Sequence, residues 1–210
     1  MGHYSLIVFV FLSGISCIWF YYREPEWLVY IFKPLTMVLI CLIAILGGNQ
    51  FTIYKIMIVA GLSFSLAGDV FLMLPSDRFL AGIAAFLLTH LFYSVAFGSL
   101  ISSLIWWPLF PLVICAIVFI RSFSPHFGNL KIPILIYILT ITLILWFAGE
   151  RWIQEPHNSS LLAFGGAILF VISDILLATD RFKGEFRKSR AIVLGIYFTS
   201  QMLIASSTRF

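Results

Sequence analysis

The chain has 210 residues, of which 61% are hydrophobic and only 10% charged, and its formal net charge is +4. Its mean hydropathy is +1.06, whereas about 25% of the residues of an average soluble domain are charged. These values exclude a water-soluble globular protein and indicate an integral membrane protein. The basic residues form no stripe interleaved with aromatic side chains, so nucleic acid is not an expected partner.

Eight apolar stretches each approach the roughly 20 residues that a spanning helix requires. Taken along the chain, they predict helices at about 4–22, 29–47, 53–74, 79–100, 104–121, 131–149, 160–179 and 190–207. The runs are continuous and do not alternate, which excludes a transmembrane barrel. The gaps are too short for a soluble domain. We therefore expect residues 1–210 to form a single integral membrane domain, an all-α bundle of eight transmembrane helices.

The distribution of Lys and Arg predicts the orientation of this bundle. The loops after odd-numbered helices and their borders hold ten of these residues: Arg23, Lys33, Arg78, Arg121, Lys131, Arg181, Lys183, Arg187, Lys188 and Arg190. The opposite face holds Lys55, Arg151 and Arg209. By the positive-inside rule the odd loops are cytoplasmic and both termini lie outside. In a bacterium the membrane would be the inner, cytoplasmic one, and membrane lipids are the expected surroundings.

Cysteine and histidine spacing gives no reason to expect a metal or another cofactor. The three cysteines fall within apolar stretches and form no Cys-x-x-Cys pair, and the four histidines show no HxxxH or HExxH spacing. The cysteines are expected to be small packing residues.

Two aspartates lie inside predicted spanning helices, in the similar settings Gly68-Asp69-x-x-Leu72 and Ser173-Asp174-x-x-Leu177. A charged side chain at the bilayer centre costs roughly 2.5–3.5 kcal/mol on insertion scales, so such residues usually face a polar interior and have a function. The structural alternative is that each aspartate only hydrogen-bonds a neighbouring helix and stabilises the bundle.

The two motifs are part of a wider internal match. An offset of 105 residues superimposes Gly61 on Gly166, Asp69 on Asp174 and Leu72 on Leu177. Four helices per half would preserve direction, which predicts two parallel four-helix repeats. Each aspartate should then lie about five residues before the cytoplasmic end of its helix, or roughly 7–8 Å deep at 1.5 Å per residue.

Other polar residues are predicted to share the same half of the membrane. In the fourth helix His90 and Tyr93 are spaced i, i+3, and in the eighth Tyr197 and Gln201 are spaced i, i+4, so each pair shares a face. The second helix contributes Lys33 and the sixth Tyr137. Each residue also has a structural interpretation: a core histidine, a lysine that snorkels to the interface, or tyrosines that bridge helices.

Several of these residues belong to one longer pattern. It comprises Lys33-Pro34, the run from Ser65 to Met73, Phe79, Gly82, Phe86, His90, Tyr93, Gly166-Ala167, Phe170, the run from Ser173 to Leu177, Arg181-Phe182, Tyr197 and Gln201. This pattern is similar to the signature of the YhhN family of membrane proteins and spans about residues 33–205. The resemblance implies an eight-helix bundle.

The resemblance also implies lysoplasmalogenase activity. Such enzymes hydrolyse the vinyl ether bond of 1-alkenyl lysophospholipids, giving a fatty aldehyde and glycerophosphoethanolamine or glycerophosphocholine. One acid and one base suffice, as in glycoside hydrolysis. Asp69 and Asp174 would divide these roles, and either assignment fits. His90 would relay a proton or orient the water.

The remaining polar residues would bind the lysophospholipid substrate. Tyr93, Tyr137, Tyr197 and Gln201 would hydrogen-bond its glycerol or enol ether oxygens, and Lys33, together with Arg181, would meet the headgroup phosphate. The scheme needs no cofactor and no metal.

Two other functions remain open from the sequence. Parallel repeats with intramembrane carboxylates also describe proton-coupled transporters of small molecules or lipids. Against a transporter, the predicted helices lack paired Gly/Pro breaks at mid-membrane positions. A purely structural protein would tolerate Asp69→Asn apart from a loss of stability.

Overall fold

The computed structural model describes residues 2–48, 52–74, 78–184 and 188–209, and their regular secondary structure is entirely helical. The α-helices are α1 (Gly2–Phe20), α2 (Val29–Leu46), α3 (Ile53–Met73), α4 (Phe79–Gly98), α5 (Leu109–Phe123), α6 (Lys131–Gln154), α7 (Asn158–Lys183) and α8 (Ser189–Ser206). Short 3₁₀ helices flank α2, α5, α6 and α8. The expected all-α class is confirmed.

Seven helical segments are long and apolar enough to cross a membrane. Five are α2, α3, α4, α6 and α7, and the other two are α5 and α8 together with the 3₁₀ helix that follows each, Leu109–His126 and Ser189–Arg209. The apolar part of α1 covers only Tyr4–Phe20, which at 1.5 Å per residue is about 26 Å, against a hydrocarbon core of about 30 Å. The chain is thus a polytopic membrane protein in which the described residues provide seven candidate spans. The eighth span remains a prediction.

The predicted start of the fifth helix is wrong. We expected it at residue 104, but α5 begins at Leu109, directly after Pro108. The preceding segment is held outside a helix by α6, because the Glu150 carboxylate accepts the backbone N–H of Ile105 at 3.1 Å. The Trp146 ring N–H also donates to the Ile105 carbonyl, at 3.0 Å.

Other predicted helix ends also differ from the structure, and α6 and α7 continue through charged residues that were expected to lie in loops. Helix α6 continues to Gln154 rather than 149, since Glu150 is fully buried and Arg151 donates to Ser159 Oγ at 2.6 Å. Helix α7 runs from 158 to 183 instead of 160–179. The first helix, by contrast, ends at Phe20, two residues early.

Glycines set the closest helix approaches. A Cβ on Gly61 of α3 would lie 2.3 Å from Cε1 of Tyr93 on α4, and one on Gly166 of α7 would lie 3.0 Å from the Ser200 carbonyl oxygen of α8. Small residues allow helix backbones in a membrane to approach and gain van der Waals contact. Among the described helices, the α3–α4 and α7–α8 pairs accordingly share the most extensive contacts.

Helix α5 lies at the edge of the bundle. Its buried side chain is Phe123, which forms a small cluster with Phe127, Ile134 and Ile138. The main core is built by the other helices around residues such as Phe170. This arrangement leaves a cleft between α5, α6 and the rest of the bundle.

Candidate active site

Asp69 of α3 is buried, with 2% of its surface exposed. Its Oδ1 lies 2.9 Å from Nζ of Lys33 on α2, and its Oδ2 accepts a 2.7 Å hydrogen bond from the Tyr197 hydroxyl on α8. Burial away from water disfavours both charges of the ion pair, and the opposite charge 2.9 Å away offsets this cost for each of them. The Asp69 carboxylate joins three helices.

Asp174 of α7 has different partners. Its Oδ2 accepts a 2.9 Å hydrogen bond from the Tyr137 hydroxyl on α6 and lies 3.1 Å from Nε2 of His90 on α4. The His90 ring is fully buried, stacks on Phe170 at 4.7 Å and meets the Tyr137 ring edge-on at 5.0 Å. Although Nε2 is within ion-pair distance of Asp174, neither ring nitrogen makes a well-aligned hydrogen bond to a described residue.

Each aspartate has one partner from its own half of the chain and one from the other half; each aspartate with its two partners is called a cluster here. Asp69 pairs with Lys33 from its own half, α1–α4, and with Tyr197 from the other. Asp174 pairs with Tyr137 from its own half, α5–α8, and with His90 from the other. The predicted repeat would relate α2 to α6 and α4 to α8, and this pattern of partners follows that relation.

An apolar cleft with about 130 Å³ of free volume reaches Asp174. Among the described residues that line it, polar groups come from Asp174, Tyr137 and Thr142. The rest are apolar side chains of α3 to α7, including Leu72, Ile83, Phe86, Leu112, Ala116, Ile141, Val171 and Leu177. One carboxyl group is therefore presented to a space that suits a hydrocarbon chain.

Two polar cavities adjoin this cleft. The first, called here the lysine chamber, has about 390 Å³ of free volume and is lined by Tyr21, Val29, Tyr30, Lys33, Leu72, Met73, Leu177, Asp180, Arg190, Val193 and Leu194. The second, the arginine chamber, has about 310 Å³ and is lined by Phe71, Leu72, Leu74, Arg78, Phe79, Leu177, Asp180 and Arg181. Leu72 and Leu177 line all three spaces, so they form the partition between apolar and polar volume.

The other predicted substrate-binding residues are distributed unevenly. Arg181 lines the arginine chamber, with its guanidinium 4.6 Å from the centre of the Phe79 ring. Tyr93 donates a 2.6 Å hydrogen bond to Oε1 of Gln201, and both side chains are fully buried. This pair joins α4 to α8 and lines none of the three described cavities. A role for Tyr93 and Gln201 in substrate binding stays a prediction.

Sequence reasoning did not identify Asp180 as a chamber residue, since it lies one residue beyond the predicted end of the seventh helix. The observed α7 continues to Lys183, which places Asp174 nine residues before the helix end instead of five. The spacing of Ser173, Leu177 and Asp180 at i, i+4 and i+7 is the sequence signal that could have placed all three on one face. No group of three His, Cys, Asp or Glu side chains that could hold a metal occurs in the described ranges.

Apolar helices that carry buried, paired carboxylates next to an apolar cleft define a multi-pass membrane protein with a polar site within the membrane. The model of the YhhN family matches residues 28–208, and the chain belongs to this family. It is 34% identical over 188 residues to "Uncharacterized membrane protein YhhN" of Escherichia coli, covering 89% of each chain.

Several of its relatives carry names that state an activity. The chain is 30% identical over 201 residues to human "Lysoplasmalogenase TMEM86A", covering 90% of this chain and 82% of the relative. It is 28% identical over 200 residues to pig "Lysoplasmalogenase TMEM86B", covering 90% and 79%. No solved structure matches the chain.

Proposed function

We propose that this protein is a lysoplasmalogenase-like hydrolase that cleaves the vinyl ether bond of 1-alkenyl lysophospholipids. The products are a fatty aldehyde and glycerophosphoethanolamine or glycerophosphocholine. The observation that carries the proposal is the Asp174 carboxyl group, which lines a mostly apolar cleft and contacts His90 and Tyr137. The named activity of the human and pig relatives supports the same reaction.

The reaction begins with transfer of a proton to the β-carbon of the vinyl ether. In our proposal Asp174 donates this proton, and the carbon–carbon double bond becomes an oxocarbenium ion whose charge the new carboxylate stabilises. Water then adds to the α-carbon and returns its proton to Asp174. The resulting hemiacetal transfers its hydroxyl proton to the ether oxygen as the C–O bond breaks, releasing the aldehyde and the glycerol hydroxyl. His90 relays protons, and Tyr137 orients the carboxylate.

The partners of the two aspartates favour this assignment over the reverse. A lysine ammonium group lies 2.9 Å from Asp69, which favours a carboxylate that has already lost its proton. The partners of Asp174 are a phenol and an imidazole, so this group can exchange a proton with His90. Asp69 then acts on the reaction through Lys33, by holding the ammonium group at the lysine chamber.

The cavities suit a lipid with one chain and a charged headgroup. The alkenyl chain would lie in the apolar cleft, while the phosphate would lie beyond the partition formed by Leu72 and Leu177, near Lys33. The substrate would cross this partition with the vinyl ether close to Asp174. The positive-inside rule would place the chambers at the cytoplasmic side of the membrane.

A proton-coupled transporter is the alternative function. Buried carboxylates at helix interfaces also occur in proton relays. However, α3 and α7 continue as regular helices past Asp69 and Asp174, whereas transporter sites are typically formed by interrupted helices. Continuous helices favour the enzyme.

The test is aldehyde release from a 1-alkenyl lysophosphoethanolamine by detergent-purified protein. Asp174→Asn should lower kcat about a hundredfold or more, the usual effect of losing a general acid. Glu24→Gln, an exposed acid outside the cavities, is the control that loses a carboxylate and should match wild type. Absence of aldehyde release by wild type, or full activity of Asp174→Asn, would refute the proposal. Proton-coupled uptake by reconstituted vesicles would then favour the transporter.

A further inference from the structure

Asp180 lies where the lysine and arginine chambers meet and lines both. Its Oδ1 atom is buried and has no hydrogen-bond partner among the described residues. A buried acceptor left without a donor is costly, and the cost is larger for a charged group than for a neutral one. The position is therefore suited to a ligand that brings its own donor.

The charges around Asp180 are arranged for a zwitterion. Lys33 and Arg190 line the lysine chamber, and Arg78 and Arg181 line the arginine chamber. Asp180 is the sole acidic side chain among the described residues that line either chamber. Phosphate oxygens suit the basic residues, through charge-assisted hydrogen bonds. A single carboxylate beside them suits a positive group carried by the same ligand.

We propose that the lysine chamber is a subsite for a phosphoethanolamine headgroup, in which Asp180 accepts a hydrogen bond from the primary ammonium and Lys33 with Arg190 binds the phosphate. The inference rests on the proposed function for the position of the alkenyl chain, and it extends that function by naming the headgroup. An unpartnered carboxylate oxygen is best satisfied by a charged donor such as a primary ammonium group, because charge-assisted hydrogen bonds are stronger than neutral ones. A quaternary choline group has no N–H donor, so ethanolamine is the preferred headgroup.

The dimensions agree with this assignment. Asp174 and Asp180 are six residues apart on α7, which corresponds to a rise of about 9 Å. A glycerophosphate spacer can bridge that separation between a vinyl ether at Asp174 and an ammonium group at Asp180. The lysine chamber, with about 390 Å³, falls within the roughly 300–1,000 Å³ range of small-ligand pockets.

Binding of saturated 1-alkyl lysophospholipids tests the subsite without catalysis, because these ethers lack the vinyl bond. Wild type, Asp180→Asn, Asp180→Glu and the control Glu24→Gln would be titrated with ligands that differ only in carrying phosphoethanolamine, phosphocholine or phosphoglycerol. Wild type and Glu24→Gln should bind the phosphoethanolamine ligand about tenfold more tightly than the phosphocholine or the phosphoglycerol ligand, the order expected for one charged hydrogen bond. Asp180→Asn should reduce that ratio to about twofold or less, and Asp180→Glu should retain part of it.

Two results would overturn the proposal. One is wild-type protein that binds the phosphoglycerol ligand as tightly as the phosphoethanolamine ligand, which requires no variant to fold. The other is an Asp180→Asn protein that keeps the wild-type preference. Chain-free glycerophosphoethanolamine distinguishes the sources of the headgroup. If glycerophosphoethanolamine binds at least about tenfold more weakly than the lysolipid, the ligand of the subsite is a lipid headgroup. If the two bind equally and binding still depends on Asp180, the ligand is a soluble phosphate ester.

The binding and hydrolysis results are separable. If wild type binds the saturated ligands with a preference that depends on Asp180 but releases no aldehyde from the alkenyl lipid, the subsite stands and the hydrolase proposal fails. If aldehyde is released while the preference does not depend on Asp180, the hydrolase stands and the subsite fails.

Discussion

The buried pair of Lys33 and Asp69 should stabilise the bundle only as a pair. The two side chains are 8% and 3% exposed and their charged atoms are 2.9 Å apart. Removing one partner leaves the other charge buried without its counter-ion, which costs about 3–5 kcal/mol, whereas replacing both partners by groups of similar volume is often neutral. Lys33→Met and Asp69→Asn should therefore each lower the free energy of unfolding by about that amount.

The double variant Lys33→Met with Asp69→Asn should recover most of the loss. The coupling energy between the two substitutions would then be of the same order as either single loss. The free energy of unfolding of wild type, both single variants and the double variant would be measured by reversible unfolding in mixed micelles. Tyr197→Phe is the control for the neutral hydrogen bond on Oδ2 of Asp69, and should cost only about 0.6 kcal/mol, the average for hydrogen bonds between membrane helices. Single losses that simply add in the double variant would refute the reasoning.

The remaining predictions use neighbouring positions as controls. Gly166→Ala should destabilise the protein by about 1–3 kcal/mol, because its Cβ would lie 2.6 Å from Ile204 Cγ1, whereas Gly165→Ala, with no atom within 4 Å of the new Cβ, should not. Equal melting temperatures for the two would contradict the packing argument. Ala116→Trp should fill the apolar cleft and raise KM about tenfold, the effect of excluding roughly two methylene groups. Val118→Trp, on the exposed face of α5, should leave steady-state aldehyde release unchanged. An equal effect of the two substitutions would show that the alkenyl chain of the substrate does not bind in this cleft.

Long apolar runs were sufficient to predict the eight helices, because apolar length determines which segments can span a membrane. Helix ends were less predictable wherever a charge is buried. Glu150 in α6 marked the expected end of a helix, yet the helix continues because that carboxylate binds the backbone of residue 105. Such a contact between residues 45 positions apart leaves no local pattern in the sequence.

The candidate site was likewise predictable in its residues but not in their contacts. The sequence identified Asp69, Asp174, His90 and Lys33, since polar residues are conspicuous in apolar helices. It gave no basis for pairing Lys33 with Asp69 and His90 with Asp174, because partner choice depends on which helices pack together. The chambers around Asp180 were also missed, as cavities arise from three-dimensional packing.

The exchange of partners between the two halves bears on how such a protein could have arisen. Asp69 contacts Tyr197 from the second half, and Asp174 contacts His90 from the first. A four-helix ancestor would hold only half of each cluster, so it would have a complete site only as a homodimer. Fusion of two copies would have made that association permanent and allowed one site to keep a lysine while the other kept a histidine. Separately expressed halves of the present chain should likewise be inactive alone and regain function only when they associate.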